Sequence, residues 1–270
     1  MAVKSVRLEE FVNPSSTLSF PEDRLLPTDA RDRLILALDV IPDDDPGELP
    51  KFLGSLGHTI SVVKIGWPVI MRMDLHEAIK TVRNSGKEVF LDAKFTDLDS
   101  GAKDIVRRCE DKDVRFLTVN HSWATVEAAV SAKSAASKLK IFTLTLLTGL
   151  DRDELREQGI QKSVEEIVIE RARKAQSIGC DGVISSGKEV AALRERVGDK
   201  FLIVTPGIRP SGAKADDHRR VATPTAAIMA GANYLVVGRP ITQSPDPCAA
   251  ALKILEEMQA AFDSREHGFN

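Results

Sequence analysis

Eight times between Arg33 and Gly238 a short apolar run rich in β-forming residues gives way to a longer amphipathic stretch. This alternation constrains the fold more than any other feature of the chain. The runs are RLILALD (33–39), ISVVKIG (60–66), EVFLDAK (88–94), RFLTVNH (115–121), IFTLTLL (141–147), GVISS (182–186), FLIVTPG (201–207) and YLVVG (234–238). The stretches between them, such as Pro68 to Ser85 and Val164 to Ile178, have helical spacing and length. Strand and helix in strict alternation are the pattern of βα units around a parallel sheet. Eight repeats in 270 residues predict an α/β chain folded as a single-domain (β/α)8 TIM barrel, an architecture of about 250 residues. The competing architecture, an open doubly wound sheet, calls for a glycine-rich dinucleotide turn after an early strand. The first run instead leads into LDVIPDDDPGE, whose acids would repel a pyrophosphate. The catalytic barrel is expected over residues 31–265. Residues 1–30, rich in Ser, Pro and acids, form an N-terminal extension that reads equally as a flexible arm or a packed cap.

Composition narrows the partners. Thirty-seven Lys and Arg against 40 Asp and Glu give a net charge of −3, too weak a field to gather nucleic acid or an anionic membrane, so any anion site must be local. No apolar run long enough to span a bilayer and no secretory leader is evident, which points to the cytoplasm. Cys109, Cys180 and Cys248 are far apart and form no CxxC, so they read as reduced thiols with no metal centre.

In a barrel of this kind chemistry sits at the C-terminal ends of the strands. The third run ends Asp92-Ala93-Lys94-Phe95-Thr96-Asp97. Asp92 and Lys94 are two apart, so a regular strand puts both on the interior face, where unpaired charge is costly. A structural ion pair satisfies that pattern as well as a catalytic one. Asp39 at the first tip and Lys64 at the second extend the set to an alternating ring of acid and base around one mouth. At the seventh and eighth tips, Thr205-Pro206-Gly207-Ile208-Arg209 and Gly238-Arg239-Pro240-Ile241-Thr242 lie where such barrels bind phosphate. There glycine admits the ligand to the backbone, and Arg209 and Arg239 offer forked, charge-assisted donors.

These residues carry a resemblance. LALD, VVKIG, FLDAKFTDL, VTPGIRPSG and LVVGRPITQSPDP occur in the order and spacing of the orotidine 5′-phosphate decarboxylase family, over about Arg33 to Leu255. The Asp-x-Lys-x-x-Asp element is shared with other barrel decarboxylases and aldolases of sugar phosphates, whereas PGIRP and GRPIT point to the orotidylate branch. The resemblance implies loss of CO2 from orotidine 5′-monophosphate without metal or cofactor, giving uridine 5′-monophosphate in pyrimidine synthesis. It implies Lys94 as proton donor to C6, Asp92 beside the departing carboxylate, and Asp97 reaching into the neighbouring subunit of a homodimer with a composite site. Asp39 and Lys64 would bind ribose hydroxyls or hold the charge network, and Thr148 would contact the pyrimidine. Arg209, Gly238 and Arg239 would hold the phosphate.

The chain departs from that pattern in two places. Leu98-Asp99-Ser100-Gly101 stands where the family usually reads Ile-Pro-x-Thr, which removes a hydroxyl at Gly101 and adds a carboxylate at Asp99. His218 stands where relatives carry a phosphate-contacting glutamine, and it keeps a hydrogen-bond donor. Residues 211–220, polar throughout, are a candidate closing loop. Two other readings compete: a metal-assisted decarboxylase or aldolase of a sugar phosphate, and a silent nucleotide-binding homologue. Retention of Asp92, Lys94 and Asp97 speaks against the second, because binding alone does not need that arrangement of charge.

Overall fold

The computed structural model describes residues 30–41, 45–147, 150, 152–210 and 221–267. Eight strands close into a barrel in chain order, every neighbour parallel. They are β1 (Leu34–Leu38), β2 (Val62–Ile65), β3 (Glu88–Phe95), β4 (Phe116–Val119), β5 (Lys140–Leu144), β6 (Gly182–Ile184), β7 (Leu202–Thr205) and β8 (Tyr234–Val237). This is the (β/α)8 barrel expected from the alternation. Each strand lies within its expected run or within one residue of it, but most ladders stop before the run does. The surplus residues, Asp39 and Gly238 among them, leave the ladder at the C-terminal mouth.

Around the barrel lie α1 (Leu49–Ser55), α2 (Trp67–Ile70), α3 (Leu75–Asn84), α4 (Asp99–Asp111), α5 (Trp123–Ala132), α6 (Arg152–Glu157), α7 (Val164–Ile178), α8 (Val190–Val197), α9 (Pro224–Met229), α10 (Arg239–Thr242) and α11 (Pro247–His267). The single helical stretch expected over 68–85 is two helices. Asp74 restarts the second by accepting from the backbone N–H groups of His76 and Glu77, satisfying donors that a helix N-terminus leaves free. The 164–178 stretch matches α7, which a Ser163/Glu166 capping box opens and Gly179 closes at φ 98°. Among the described residues, no helix is long and apolar enough to cross a membrane.

Two apolar layers follow from the period of two along each strand. One face packs Leu36, Val63, Leu117, Ile203 and Leu235 against the helices. The other fills the barrel with Ile35, Phe90, Phe116, Phe142, Val204 and Tyr234. Phe116 is the hub of that plug, its ring centroid 5.7 Å from Phe90, 5.5 Å from Phe142 and 5.2 Å from Tyr234, each pair edge-on or close to it. Two residues further along the same strands come Asp92, Leu144 and Val236. The aromatic plug is therefore the floor of a cup that opens at the C-terminal mouth, and Phe90 lines that cup from below.

Candidate active site

β3 does not run straight into the mouth. Its register with β4 shifts between Leu91 and Phe95, and inside the shift Lys94 adopts φ 47°. A left-handed residue that carries a Cβ costs about 1–2 kcal/mol, so its neighbours must hold it in place. Asn120 donates its backbone N–H to the Phe95 carbonyl at 3.0 Å, the Trp67 indole donates to the Ala93 carbonyl at 2.9 Å, and the Lys94 ammonium donates to Asp92 at 2.5 Å. The expectation that Asp92 and Lys94 face one way because they are two apart assumed a regular strand. Both line the same cavity despite the irregularity.

Asp92 Oδ2 is the centre of the charge network. It lies 2.5 Å from Lys94 Nζ and 3.2 Å from Lys64 Nζ, and Lys64 in turn sits 3.1 Å from Asp39 Oδ1. The Asp92 side chain is 8% exposed and that of Lys94 35%, so the proximal carboxylate is dry while the ammonium beside it still reaches the cavity. Burial pushes the Asp92 carboxyl upward, but Lys64 and Lys94 more than reverse this and hold it below the usual aspartate range. Burial likewise depresses Lys64, and the carboxylates of Asp92 and Asp39 overcome it, so Lys64 ends above the usual lysine value. Asp92 therefore rests as a carboxylate and Lys64 as an ammonium. Deleting Lys64 or Asp92, the buried members, would leave charge uncompensated, at about 3–5 kcal/mol for a fully buried pair.

The cup has a volume of about 560 Å³, within the range of small-molecule sites. Asp39, Lys64, Asp92 and Lys94 line it from β1 to β3. Leu144, Leu146, Leu147 and Ile184 form an apolar wall from β5 and β6, and Gly207, Arg209, Gly238 and Arg239 complete it from β7 and β8. Arg209 is buried. A short bridge between Ile208 and Ala222 fixes its backbone, and its guanidinium donates to the Ile208 carbonyl at 2.9 Å. Gly238 passes close to β1: a Cβ there would lie 3.3 Å from Ala37 Cβ and 3.5 Å from Asp39 Oδ2. Glycine thus lets the β8 tip approach the acid of the β1 tip without crowding the cup. A charged pole, an apolar wall and a guanidinium pole suit a ligand with an anionic group at one end and a flat ring between.

The structure brings six of the sequence candidates into this cup besides Gly238, namely Asp39, Lys64, Asp92, Lys94, Arg209 and Arg239. Asp97 is not one of them. It is exposed and lines a neighbouring outward groove with Leu98, Asp99 and Thr125, its Oδ1 accepting from the Leu98 N–H at 2.7 Å. Thr148, His218 and the 211–220 stretch lie outside the described residues. Sequence reasoning passed over Thr242 and Gln243, which line the cup one turn beyond Arg239. The signal for them was the helix that follows Gly238, whose first turn faces the same mouth as the glycine. It also passed over Trp67, for which the sequence carries no signal, since its partner is a backbone carbonyl on another strand.

These features define a class: a (β/α)8 barrel whose closed floor supports a polar cup lined by an Asp/Lys charge relay and two arginine-bearing loops. Comparison with known proteins narrows the class. The profile of the orotidine 5′-phosphate decarboxylase / HUMPS family matches residues 32–254. The orotidine 5′-phosphate decarboxylase of Rhodopseudomonas palustris is 43% identical over 234 residues, which is 87% of this chain and 97% of that protein. That of Nitrobacter winogradskyi is 40% identical over 233 residues, 86% of this chain and 95% of that protein. The crystal structure of orotidine 5′-phosphate decarboxylase from Lactobacillus acidophilus superposes with a TM-score of 0.71 at 33% identity, covering 84% of this chain and 99% of that one. The chain belongs to the orotidine 5′-phosphate decarboxylase / HUMPS family.

Proposed function

We propose that this chain decarboxylates orotidine 5′-monophosphate to uridine 5′-monophosphate and CO2 in de novo pyrimidine synthesis, with its own side chains supplying the chemistry. The observation that carries the proposal is the Lys94 ammonium, hydrogen-bonded to a dry carboxylate and facing a cup with arginines at its other end. Breaking the bond between C6 and the carboxyl carbon leaves the electron pair on C6. A fixed ammonium stabilises that charge and then delivers its proton to C6, after which the neutral amine recovers a proton from solvent. Asp92 and Asp39 keep Lys64 charged before the reaction, and Asp92 holds the Lys94 ammonium by a hydrogen bond. The apolar wall takes the pyrimidine, Asp39 and Lys64 the ribose, and Arg209, Gly238 and Arg239 the phosphate, whose binding energy helps organise the mouth.

Metal-assisted chemistry on a sugar phosphate, the alternative within the same family of barrels, is less well supported. Asp92 Oδ2 is already engaged by two ammonium groups and Asp39 by one. We further infer a cytoplasmic homodimer in which the exposed Asp97 serves the partner's cup. The catalytic domain would span residues 31–265, with residues 1–30 as an extension and Thr148 and His218 as further substrate contacts.

The test is the loss of orotidine 5′-monophosphate absorbance with purified chain in excess EDTA, beside Lys94→Ala. Turnover that survives EDTA and disappears in the variant is the expected result. A folded wild-type chain without turnover would overturn the assignment and redirect the search to other phosphorylated ligands.

A further inference from the structure

Lys94 stands at φ 47°, a conformation that a side chain with a Cβ leaves unless its surroundings over-determine it. On its C-terminal side the hold comes from the sheet. Phe95 resumes register with Val119, and its carbonyl accepts the Asn120 N–H at 3.0 Å. On its N-terminal side the register with β4 has lapsed after Leu91. There the carbonyl of Ala93, which belongs to the peptide leading into Lys94, accepts the indole N–H of Trp67 at 2.9 Å. Trp67 is the first residue of α2, directly after the Gly66 that ends the β2 run, and Pro68 follows it to fix the start of the turn. Trp67 is 54% exposed, so burial is a minor part of what this large side chain contributes.

We propose that Trp67 is a positioning residue: its indole N–H, by holding the Ala93 carbonyl, fixes the left-handed turn that delivers the Lys94 ammonium to Asp92 and the cup. The inference rests on the reaction proposed above. It requires that the N–H, and not the bulk of the ring, be the working part. Loss of the N–H would leave the cup walls and the arginines in place while the ammonium sampled other positions. Turnover would then fall and ground-state binding would be spared.

The experiment replaces Trp67 with 3-benzothienylalanine, an isostere in which sulfur takes the place of the indole N–H, and compares it with Trp67→Phe and wild type. Sedimentation checks that all three are in the same assembly state. The expected result is a kcat about three- to ten-fold lower in both variants, the range that one hydrogen bond supports, with KM within about two-fold of wild type. The proposal is overturned if the isostere keeps wild-type kcat, or if only Trp67→Phe loses it, since ring packing would then be the cause. An inactive wild-type chain would instead refute the proposed reaction. In that event the crystal structure of the isostere variant decides the positioning role: a Lys94 backbone relaxed out of the left-handed region supports it, and one retained near 47° refutes it.

Discussion

At the N-terminal end of the barrel Asp181 accepts from Lys133 at 2.7 Å, Lys140 at 3.1 Å and the Ile141 N–H at 2.8 Å. Arg194 reaches the carbonyls of Phe201 and Gly231 and the Asn233 side chain there, and Lys87 donates to the carbonyls of Gly57 and Ile60. At the C-terminal end Asp92, Lys64, Asp39 and Lys94 contact mainly one another and a cavity. Both ends hold buried charge, so burial of charge does not distinguish function from structure. The partners do. Charge tied at least in part to backbone that must stay folded is structural, whereas charge bonded mainly to other charge and facing open volume is available to a ligand.

The sharpest way to break this comparison is to cut one charge from each end. Lys94→Ala should lower kcat/KM by about 10⁴-fold or more, since on the proposed mechanism it removes both the proton donor and the stabilising charge. Its thermal midpoint should stay within a few degrees of wild type, because Lys94 is only partly buried and Asp92 keeps Lys64 as a counter-charge. Asp181→Asn should do the reverse. It leaves two lysines short of a counter-charge at a site 12% exposed, which costs about 2–3 kcal/mol once the partial exposure of the lysines is allowed for. For a chain of this size that lowers the midpoint by roughly 5 °C or more while kcat is unchanged. Calorimetry beside initial-rate kinetics separates the two. A loss of turnover in the Asp181 variant out of proportion to unfolding would erase the distinction between the ends.

A smaller effect tests the same contrast by pH. Burial pulls the Lys87 ammonium down to about 8 from an ordinary 10.5. Below pH 8 folded and unfolded chains both carry that proton. Between about 8 and 10.5 the folded chain has released it while the unfolded chain still binds it, so this group's contribution to stability rises with pH. Denaturant midpoints of wild type and Lys87→Met at pH 7.5 and 9.5 should therefore diverge in favour of wild type at the higher pH, with turnover alike in both. A gap that stays constant would mean that Lys87 keeps its proton throughout.

The two ends were also unequally legible. The mouth showed in the sequence because its charges interrupt apolar runs at strand tips, where Asp92, Lys94 and Arg209 stand out against their neighbours. Eight runs gave the barrel for the same reason, since apolar periodicity is local information. What escaped was whatever depends on backbone departing from that periodicity. The φ of Lys94, the lapse of register after Leu91 and the Trp67 bond to Ala93 arise from contacts between strands, and no spacing rule encodes them. The network at the other end escaped too, because Lys87 and Asp181 sit at run boundaries and Arg194 within α8, where a charged residue is unremarked.

The smallest expected effect concerns Gly101, where the family pattern carries threonine. A Cβ at Gly101 would lie 2.6 Å from both Cγ and Oδ2 of Asp97, so the absence of a side chain is what allows that carboxylate to fold back over the first turn of α4. The obstacle is the end of a mobile side chain, so Gly101→Ala should displace Asp97 and leave α4 intact. Alanine in place of a helical glycine stabilises by about 0.5–1 kcal/mol, and the midpoint should hold or rise by roughly 2 °C. If Asp97 serves the cup of a second subunit from its present resting place, kcat/KM should fall about three-fold, equivalent to ~0.6 kcal/mol, in a variant that is no less stable than wild type. This opposition of signs is the useful feature, because destabilisation cannot produce it. Unchanged kinetics would mean that Asp97 finds its working position regardless of where it rests, and that the glycine is a neutral departure from the family.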